Sequence, residues 1–379
     1  MVKMKIGILT VPFNNNYGGF LQAFALMKVL KDFGCKPYMI MRRHNLYGYS
    51  PVKMAKIIIK SFFKAFKYRD FHLLLHPFEP NYFIQGLAMQ KFVDRYIKPQ
   101  TSYFYSWSSL EKKLRGCFDA LIVGSDQVWR SIYVPGIENY FLDFAKTWNI
   151  RRISYAASFG TIEPEYAMKQ IEMCGNLLKM FDSVSVREQG ALQVFNKFGW
   201  NVDSVEVVLD PTLLLNKVDY EHIIKNKQQG ISYLFAYVLD KNIDNDIAIQ
   251  KVCESQGIEK RTIANIQEEN VSLPSIEEWL WLIKNAQYVV TDSFHGMVFS
   301  IIFHIPFVVI ANNKRGTDRF ESLLNILELE DRLGYKAYDI QEKFLMPIDW
   351  MHVDILLQKY REESITFLRN GLNLSQIGQ

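Results

Sequence analysis

The segment from Tyr288 to Phe303, YVVTDSFHGMVFSIIF, constrains the fold more than any other stretch of the chain. Tyr288 to Thr291 is a short apolar run of β-favouring residues. A polar break follows, Gly296 lets the chain turn, and the remainder reads as a buried helix. Strand, loop and buried helix in that order are the repeating unit of a parallel α/β sheet. In such sheets ligands bind beyond the carboxyl ends of the strands, beside helix N-termini. Asp292, Ser293 and His295 fall there. Two readings stand side by side: a functional histidine, or a helix cap at Asp292 or Ser293 with His295 as a satisfied polar residue.

The same alternation recurs along the chain. Met4–Val11 reads as a strand, Gly18–Phe33 as a helix ending at Gly34, and Tyr38–Met41 as a second strand, an opening βαβ unit. Strands follow at Leu121–Val123, Ile153–Ala156 and Ser183–Val186. Asp210-Pro211-Thr212 marks a boundary, because proline biases the preceding residue away from the helical region. A second alternation then begins, with strands at Tyr233–Leu239, Arg261–Ala264, Tyr288–Thr291 and Phe307–Ile310 and a helix at Ile276–Asn285. At 379 residues two domains are the natural expectation. We expect an α/β protein with two Rossmann-like domains facing across a cleft. The N-terminal one spans 1–204, with a basic insertion at about 41–76. The C-terminal one spans 205–345, and a helical segment over 346–379 follows.

Composition excludes several classes. A hydrophobic fraction of 49% with 22% charged residues describes a globular chain, and a net charge of +4 is too small to argue nucleic-acid binding. Cys35, Cys117, Cys174 and Cys253 show no metal-ligand or disulfide spacing, which fits a reducing compartment. The apolar run Met297–Ala311 is too short to span a bilayer. The expectation is a soluble protein of the cytoplasm, extending to the inner face of the membrane, with no metal and no cofactor.

The membrane enters through one stretch. Between Met41 and His76 the basic residues are Arg42, Arg43, Lys53, Lys56, Lys60, Lys64, Lys67 and Arg69, against the single acid Asp70. Lys53 to Lys67 share one helical face, and Met54, Ile57, Ile58, Phe62 and Phe66 fall largely on the other. This reads either as a peripheral membrane contact through 53–67 or as an ordinary surface helix with its phenylalanines turned to the core.

Several motifs share a single likeness. They are Lys5-Ile-Gly-Ile-Leu-Thr with Asn15-Asn-Tyr-Gly-Gly-Phe-Leu-Gln-Ala, then Asp119-Ala-Leu-Ile-Val-Gly-Ser-Asp-Gln-Val-Trp, then Arg152-Ile-Ser-Tyr-Ala-Ala-Ser-Phe-Gly. Ser185-Val-Arg-Glu, Val208-Leu-Asp-Pro-Thr, the His295 segment and Asn313-Lys-Arg-Gly-Thr-Asp-Arg-Phe complete the set. In this order the chain resembles the polysaccharide pyruvyl transferase family from near residue 5 to about residue 330. The resemblance implies a GT-B-like fold and transfer of pyruvate from phosphoenolpyruvate to two hydroxyls of a sugar, forming a ketal and releasing phosphate. Its partners would be phosphoenolpyruvate and a glycan acceptor, lipid-linked or free, in capsular, exopolysaccharide or cell-wall assembly.

That reaction needs an acid for the enol methylene, a base for the hydroxyls, and cations for carboxylate and phosphate. His295 is the candidate acid, since histidine alone titrates near neutral pH unperturbed. A helix N-terminus favours neutral imidazole, so a carboxylate, from Asp292 or from the substrate, would have to restore the proton. Asp292 either orients His295 or caps the helix. Many family members have Arg-Leu-His where this chain has Ser293-Phe294-His295, so an arginine expected before the histidine is replaced by Ser293. Arg187, which resembles the family's donor-binding arginine, and Lys314, Arg315 and Arg319 around Gly316 are the candidates to hold the donor. For the acceptor the candidates are Asn15, Asn16, Tyr17 and Gly18 in the first turn, with Ser125, Gln127 and Trp129 after a later strand. Asp126 there is either the base or a helix cap, and Trp129 either a sugar platform or core. The first turn lacks the G-x-G-x-x-G spacing of a dinucleotide site. A nucleotide-sugar glycosyltransferase and an inactive glycan-binding protein on the same fold are the alternatives.

Overall fold

The computed structural model describes residues 3–13, 16–43, 51–68, 87–224, 231–240, 242–263, 273–311, 316–344 and 346–374. Among them the strands form two sheets, both parallel throughout. The first contains β1 (Lys5–Leu9), β2 (Lys36–Met39), β3 (Ala120–Val123), β4 (Arg151–Ala157), β5 (Ser183–Val186) and β6 (Val205–Val207) in the order β2-β1-β3-β4-β5-β6. The second holds β7 (Tyr233–Tyr237), β8 (Glu259–Thr262), β9 (Tyr288–Thr291), β10 (Phe307–Ile310) and β11 (Leu333–Gly334) in the order β11-β10-β9-β7-β8. Central strands such as β3 and β10 are apolar and buried at every position, as strands covered on both faces must be.

Each order reverses direction once, between β1 and β3 in the first sheet and between β7 and β9 in the second. At such a point adjacent crossovers leave to opposite faces and open a crevice beyond the strand ends. The loops there are those that end at Asn16, Gln127, Asp240 and His295, so topology alone selects the segments that could meet a ligand.

Local chemistry fixes the helices that line the crevices. Helix α1 (Tyr17–Asp32) starts at Asn16, whose side chain accepts the Gly18 N–H. Helix α2 (Pro51–Tyr68) is the basic stretch, and residues 44–50 and 69–76 of that stretch lie outside those described. Helix α3 (Gly190–Phe198) follows β5, and α4 (Ile276–Lys284) opens with a reciprocal Ser275–Glu278 cap. Helix α5 (Phe294–Phe303) is buried along its whole length and is capped by Ser293, whose hydroxyl accepts the Gly296 N–H. Gly296 is obligatory, because a Cβ there would overlap the Thr291 side chain. After β10 come α6 (Asp318–Ile326) and, near the end, α7 (Trp350–Gly371).

The two halves share one apolar core. Tyr17, at the start of α1, stacks on Trp279 of α4 at 5.0 Å and donates its hydroxyl to the Pro274 carbonyl. Helix α7 returns to the first sheet: its Ser364 hydroxyl accepts the Leu209 N–H, and Arg151 donates to the Gly371 carbonyl. No helix among the described residues is long and apolar enough to cross a membrane.

Candidate active site

The two crevices face each other, and His295 lies where they meet. It occupies the second position of α5, almost wholly buried, at the carboxyl end of β9. Gly18 presses against it so closely that a Cβ there would overlap the imidazole. Only glycine lets the first turn of α1, from the opposite half, approach in this way. His295 Nε2 is 3.7 Å from Asp210 Oδ2, longer than a hydrogen bond, and has no hydrogen-bond partner.

Asp210 is the hub of the site, although the sequence suggested only a boundary there. Its Oδ2 accepts Arg187 Nη1 at 2.8 Å and the Ser125 hydroxyl at 2.9 Å. Its Oδ1 accepts both the N–H and the hydroxyl of Thr212. Burial alone would raise this carboxyl. The His295 imidazole, the Arg187 guanidinium and the Thr212 hydroxyl outweigh it and hold Asp210 far below the usual carboxylate range. The available signal was an acid immediately after an apolar run, Val207-Val-Leu-Asp, a strand-end position like that of Asp126.

Arg187 follows β5 and is enclosed by carboxylates. Besides Asp210, Asp126 lies 3.8 Å from Nη2 and Glu188 lies 3.7 Å from Nε. Desolvation opposes its charge, but Asp210, Asp126 and Glu188 overcome that and keep it protonated. Its Nε and Nη2 are buried without a hydrogen-bond acceptor, and the guanidinium rests on the Phe294 ring at 4.4 Å. Glu188 spends its other oxygen on the Ser158 hydroxyl and the Phe159 N–H, which ties the loop after β4 to the site.

Asp126 sits just past β3 with φ of 71°, a strained backbone setting for a residue other than glycine. That turn directs the carboxylate into the crevice, where Oδ2 accepts Asn16 Nδ2 at 3.3 Å. Arg319, from α6 in the second half, reaches the same cluster. Burial and then the Arg187 charge pull its pKa down to about 10, while Glu188 and Asp126 oppose that shift.

Of the residues expected from sequence, the structure therefore gathers His295, Asp126, Arg187, Arg319, Asn16, Gly18 and Ser125. Gln127 lies at the edge, where Arg130 donates to its side-chain oxygen. Asp292 is close in sequence but directs its oxygens to the backbone N–H groups of Leu239 (2.7 Å) and Asp240 (2.9 Å), bracing the exit of β7. Of the two cap candidates, Ser293 is the one that caps α5.

Two aromatic expectations need correction. Tyr17 is buried between the halves with its ring and hydroxyl both engaged, so it presents nothing to an acceptor. Trp129 is fully buried, stacked on Phe141 at 5.1 Å, and donates to the Tyr140 carbonyl. It belongs to the core. Asn15, Lys314 and Arg315 lie outside the described residues.

Comparison with known proteins bears on the family and the fold. A family described as polysaccharide pyruvyl transferase matches residues 16–314. None of the curated proteins matches the chain. Among solved structures, UDP-N-acetylglucosamine 2-epimerase from Rickettsia bellii aligns over 98% of both chains with a TM-score of 0.56 and 11% identity. UDP-GlcNAc 2-epimerase from Neisseria meningitidis, bound to UDP-GlcNAc, aligns over 98% of this chain and 100% of its own, with a TM-score of 0.53 and 12% identity. A putative UDP-N-acetylglucosamine 2-epimerase from Listeria monocytogenes aligns over 98% and 95%, with a TM-score of 0.56 and 9% identity. At such identities the likeness is one of fold: two Rossmann-like domains facing across a cleft, the GT-B-like arrangement.

Proposed function

The chain belongs to the polysaccharide pyruvyl transferase family, and from that premise we propose that it transfers pyruvate from phosphoenolpyruvate to a glycan. The acceptor is a sugar of a capsular, exopolysaccharide or cell-wall precursor, and the product is a ketal on two of its hydroxyls. The observation that carries this reading is a convergence of unused donors. Arg187 Nε and Nη2, with His295 Nε2, are buried without hydrogen-bond acceptors in one cluster. Buried donors left unmet are costly, and a small dianion carrying a carboxylate would satisfy them.

In this mechanism His295 donates a proton to the enol methylene, which becomes the methyl group. Positive charge builds at the central carbon, a first sugar hydroxyl adds there, and its proton goes to Asp126. The carbon–oxygen bond to phosphate breaks, the second hydroxyl closes the ring, and its proton restores the histidine. The proton held by Asp126 leaves with phosphate. Arg187 and Arg319 hold the donor's carboxylate and phosphate in place of the arginine replaced by Ser293, with Lys314 and Arg315 in the same role. Asn16 and Gln127 face the acceptor, and Ser125 holds Asp210 beside them. Asp210, at 3.7 Å, takes the orienting role first expected of Asp292. The enzyme works in the cytoplasm, where its glycan precursor is assembled.

Calorimetry with phosphoenolpyruvate and with UDP-GlcNAc tests this reading. Binding of phosphoenolpyruvate that weakens in Arg187→Ala supports it. Tight binding of the nucleotide sugar with none of phosphoenolpyruvate would replace it with a glycosyltransferase.

A further inference from the structure

Helix α2 is the one described helix whose large apolar side chains face solvent along its length. Val52, Ile58, Ile59, Phe62, Phe63 and Phe66 are all exposed, Phe63 to 69% and Phe66 to 57%. This departs from the expectation that an ordinary surface helix would turn its phenylalanines to the core. Among the described side chains of α2, Ile57 and Ser61 are the half-buried ones. A patch of that kind on a chain in water marks a contact with something else.

The sequence of α2 says what that is. At about 100° per residue, Ile58, Phe62, Ala55, Phe66, Ile59, Val52 and Phe63 sweep one arc of roughly 140°. Lys53, Lys56, Lys60, Lys64 and Lys67 occupy a separate arc of about 80° beside it. The 18 residues contain no acid. A protein groove would take the apolar arc but has no general need for five lysines of one sign along its border. An anionic bilayer needs both: the apolar arc enters the headgroup–acyl boundary while the lysines meet phosphates at its edge.

We propose that α2 is an in-plane anchor that holds this protein on a membrane of anionic phospholipid. It follows β2, the edge strand of the first sheet. All strands of that sheet are parallel, so β2 ends on the side where Asn16 and Asp126 open into the crevice. The anchor therefore sets the acceptor crevice near the lipid surface, which makes a lipid-linked glycan the substrate. That last step rests on the reading above; the docking itself does not.

The experiment uses the full chain with phosphatidylcholine vesicles, with and without phosphatidylglycerol, at low and high salt. Sedimentation reads the bound fraction, and hydrogen exchange reads the α2 amides. Wild type is expected to sediment with the anionic vesicles only, less so as salt rises, and to slow exchange in α2. Each lysine contributes roughly fivefold, so Lys56→Gln with Lys60→Gln and Lys64→Gln should weaken partitioning on the order of a hundredfold. Phe62→Ser with Phe63→Ser and Phe66→Ser should abolish it.

Absent binding, or binding equal in wild type and both variants, overturns the proposal. Protection of α2 that grows with protein concentration and needs no vesicles also overturns it, in favour of self-association. Calorimetry with phosphoenolpyruvate on the same proteins separates the two readings. Unchanged donor affinity beside absent vesicle binding removes the anchor alone, whereas absent donor binding removes the chemistry and leaves the vesicle result standing.

Discussion

Replacing Asp210 by asparagine tests the hub of the site with almost no change of shape. The carboxylate meets two donors on each oxygen: Arg187 and Ser125 on Oδ2, and the N–H and hydroxyl of Thr212 on Oδ1. An amide must place its NH₂ on one side. There it faces either the Arg187 guanidinium or the Thr212 backbone N–H, and neither can reverse its hydrogen. One charge-assisted or backbone bond is lost in each orientation, and Arg187 loses its closest counter-charge. Removing one partner of a buried pair costs about 3–5 kcal/mol. Because Asp126 and Glu188 remain at 3.8 and 3.7 Å, we expect the lower end, about 3 kcal/mol. Urea unfolding measures it, with the variant compared at the wild-type midpoint. Asp126→Asn, at the longer contact, should lose about 1 kcal/mol. If Asp210→Asn stays within about 0.5 kcal/mol of wild type, the hub is wrong. The same variant should also lower turnover, since the carboxylate facing His295 is gone.

Other outcomes follow from the same contacts. His295→Asn should cut turnover by on the order of 10²–10⁴ while leaving the melting temperature nearly unchanged, measured as phosphate release. Arg319→Ala should weaken phosphoenolpyruvate binding by roughly 1.5–3 kcal/mol in calorimetry, the contribution of a charge-assisted hydrogen bond. Asp143 is pushed up to about 6, chiefly by burial and against the hydrogen bond from Asn139. A carboxyl raised in the folded state holds its proton longer than the unfolded chain does, so stability falls as pH rises from about 4 to 6. Asp143→Asn should therefore be more stable than wild type at pH 7, by at most about 3 kcal/mol, and equal to it near pH 4. An advantage of the same size at both pH values would contradict that environment.

What could be read from the sequence was local. The polar break after Tyr288–Thr291 places His295 at a strand end through contacts within a few residues, and β9, Ser293 and α5 follow that pattern. The strand expected at Arg261–Ala264 lies slightly earlier, at Glu259–Thr262, because its outward positions are charged and carry no apolar signal. β6 and β11 are too short to show a period. The partnership of His295 with Asp210 joins residues far apart in the chain, and no spacing encodes it. Tyr17 and Trp129 show a different failure. An aromatic beside a polar loop has the same sequence signature whether it awaits a sugar or fills a seam, and only the packing of Trp279 and Phe141 decides.

Closure of the cleft explains why so many charges lie buried together. The first half contributes Asp126, Glu188, Asp210 and Arg187, an acidic excess, while the second contributes Arg319 and His295. The acidic set alone would repel itself, and Arg319 brought against it offsets part of that excess. The rim is fastened the same way. Asp318 of α6 accepts the Gly190 N–H with both oxygens and so caps α3 from across the cleft, and Ser322 accepts the Gln189 N–H. His295, Asp126, Arg187 and Ser125 are all buried here, behind these fastenings. In the proposed reaction, closing the cleft would exclude water as the two halves meet, where proton transfer and anion binding are strongest. Parting the halves to admit a glycan would undo the contacts that gather these residues, and so would confine the proposed chemistry to the closed arrangement.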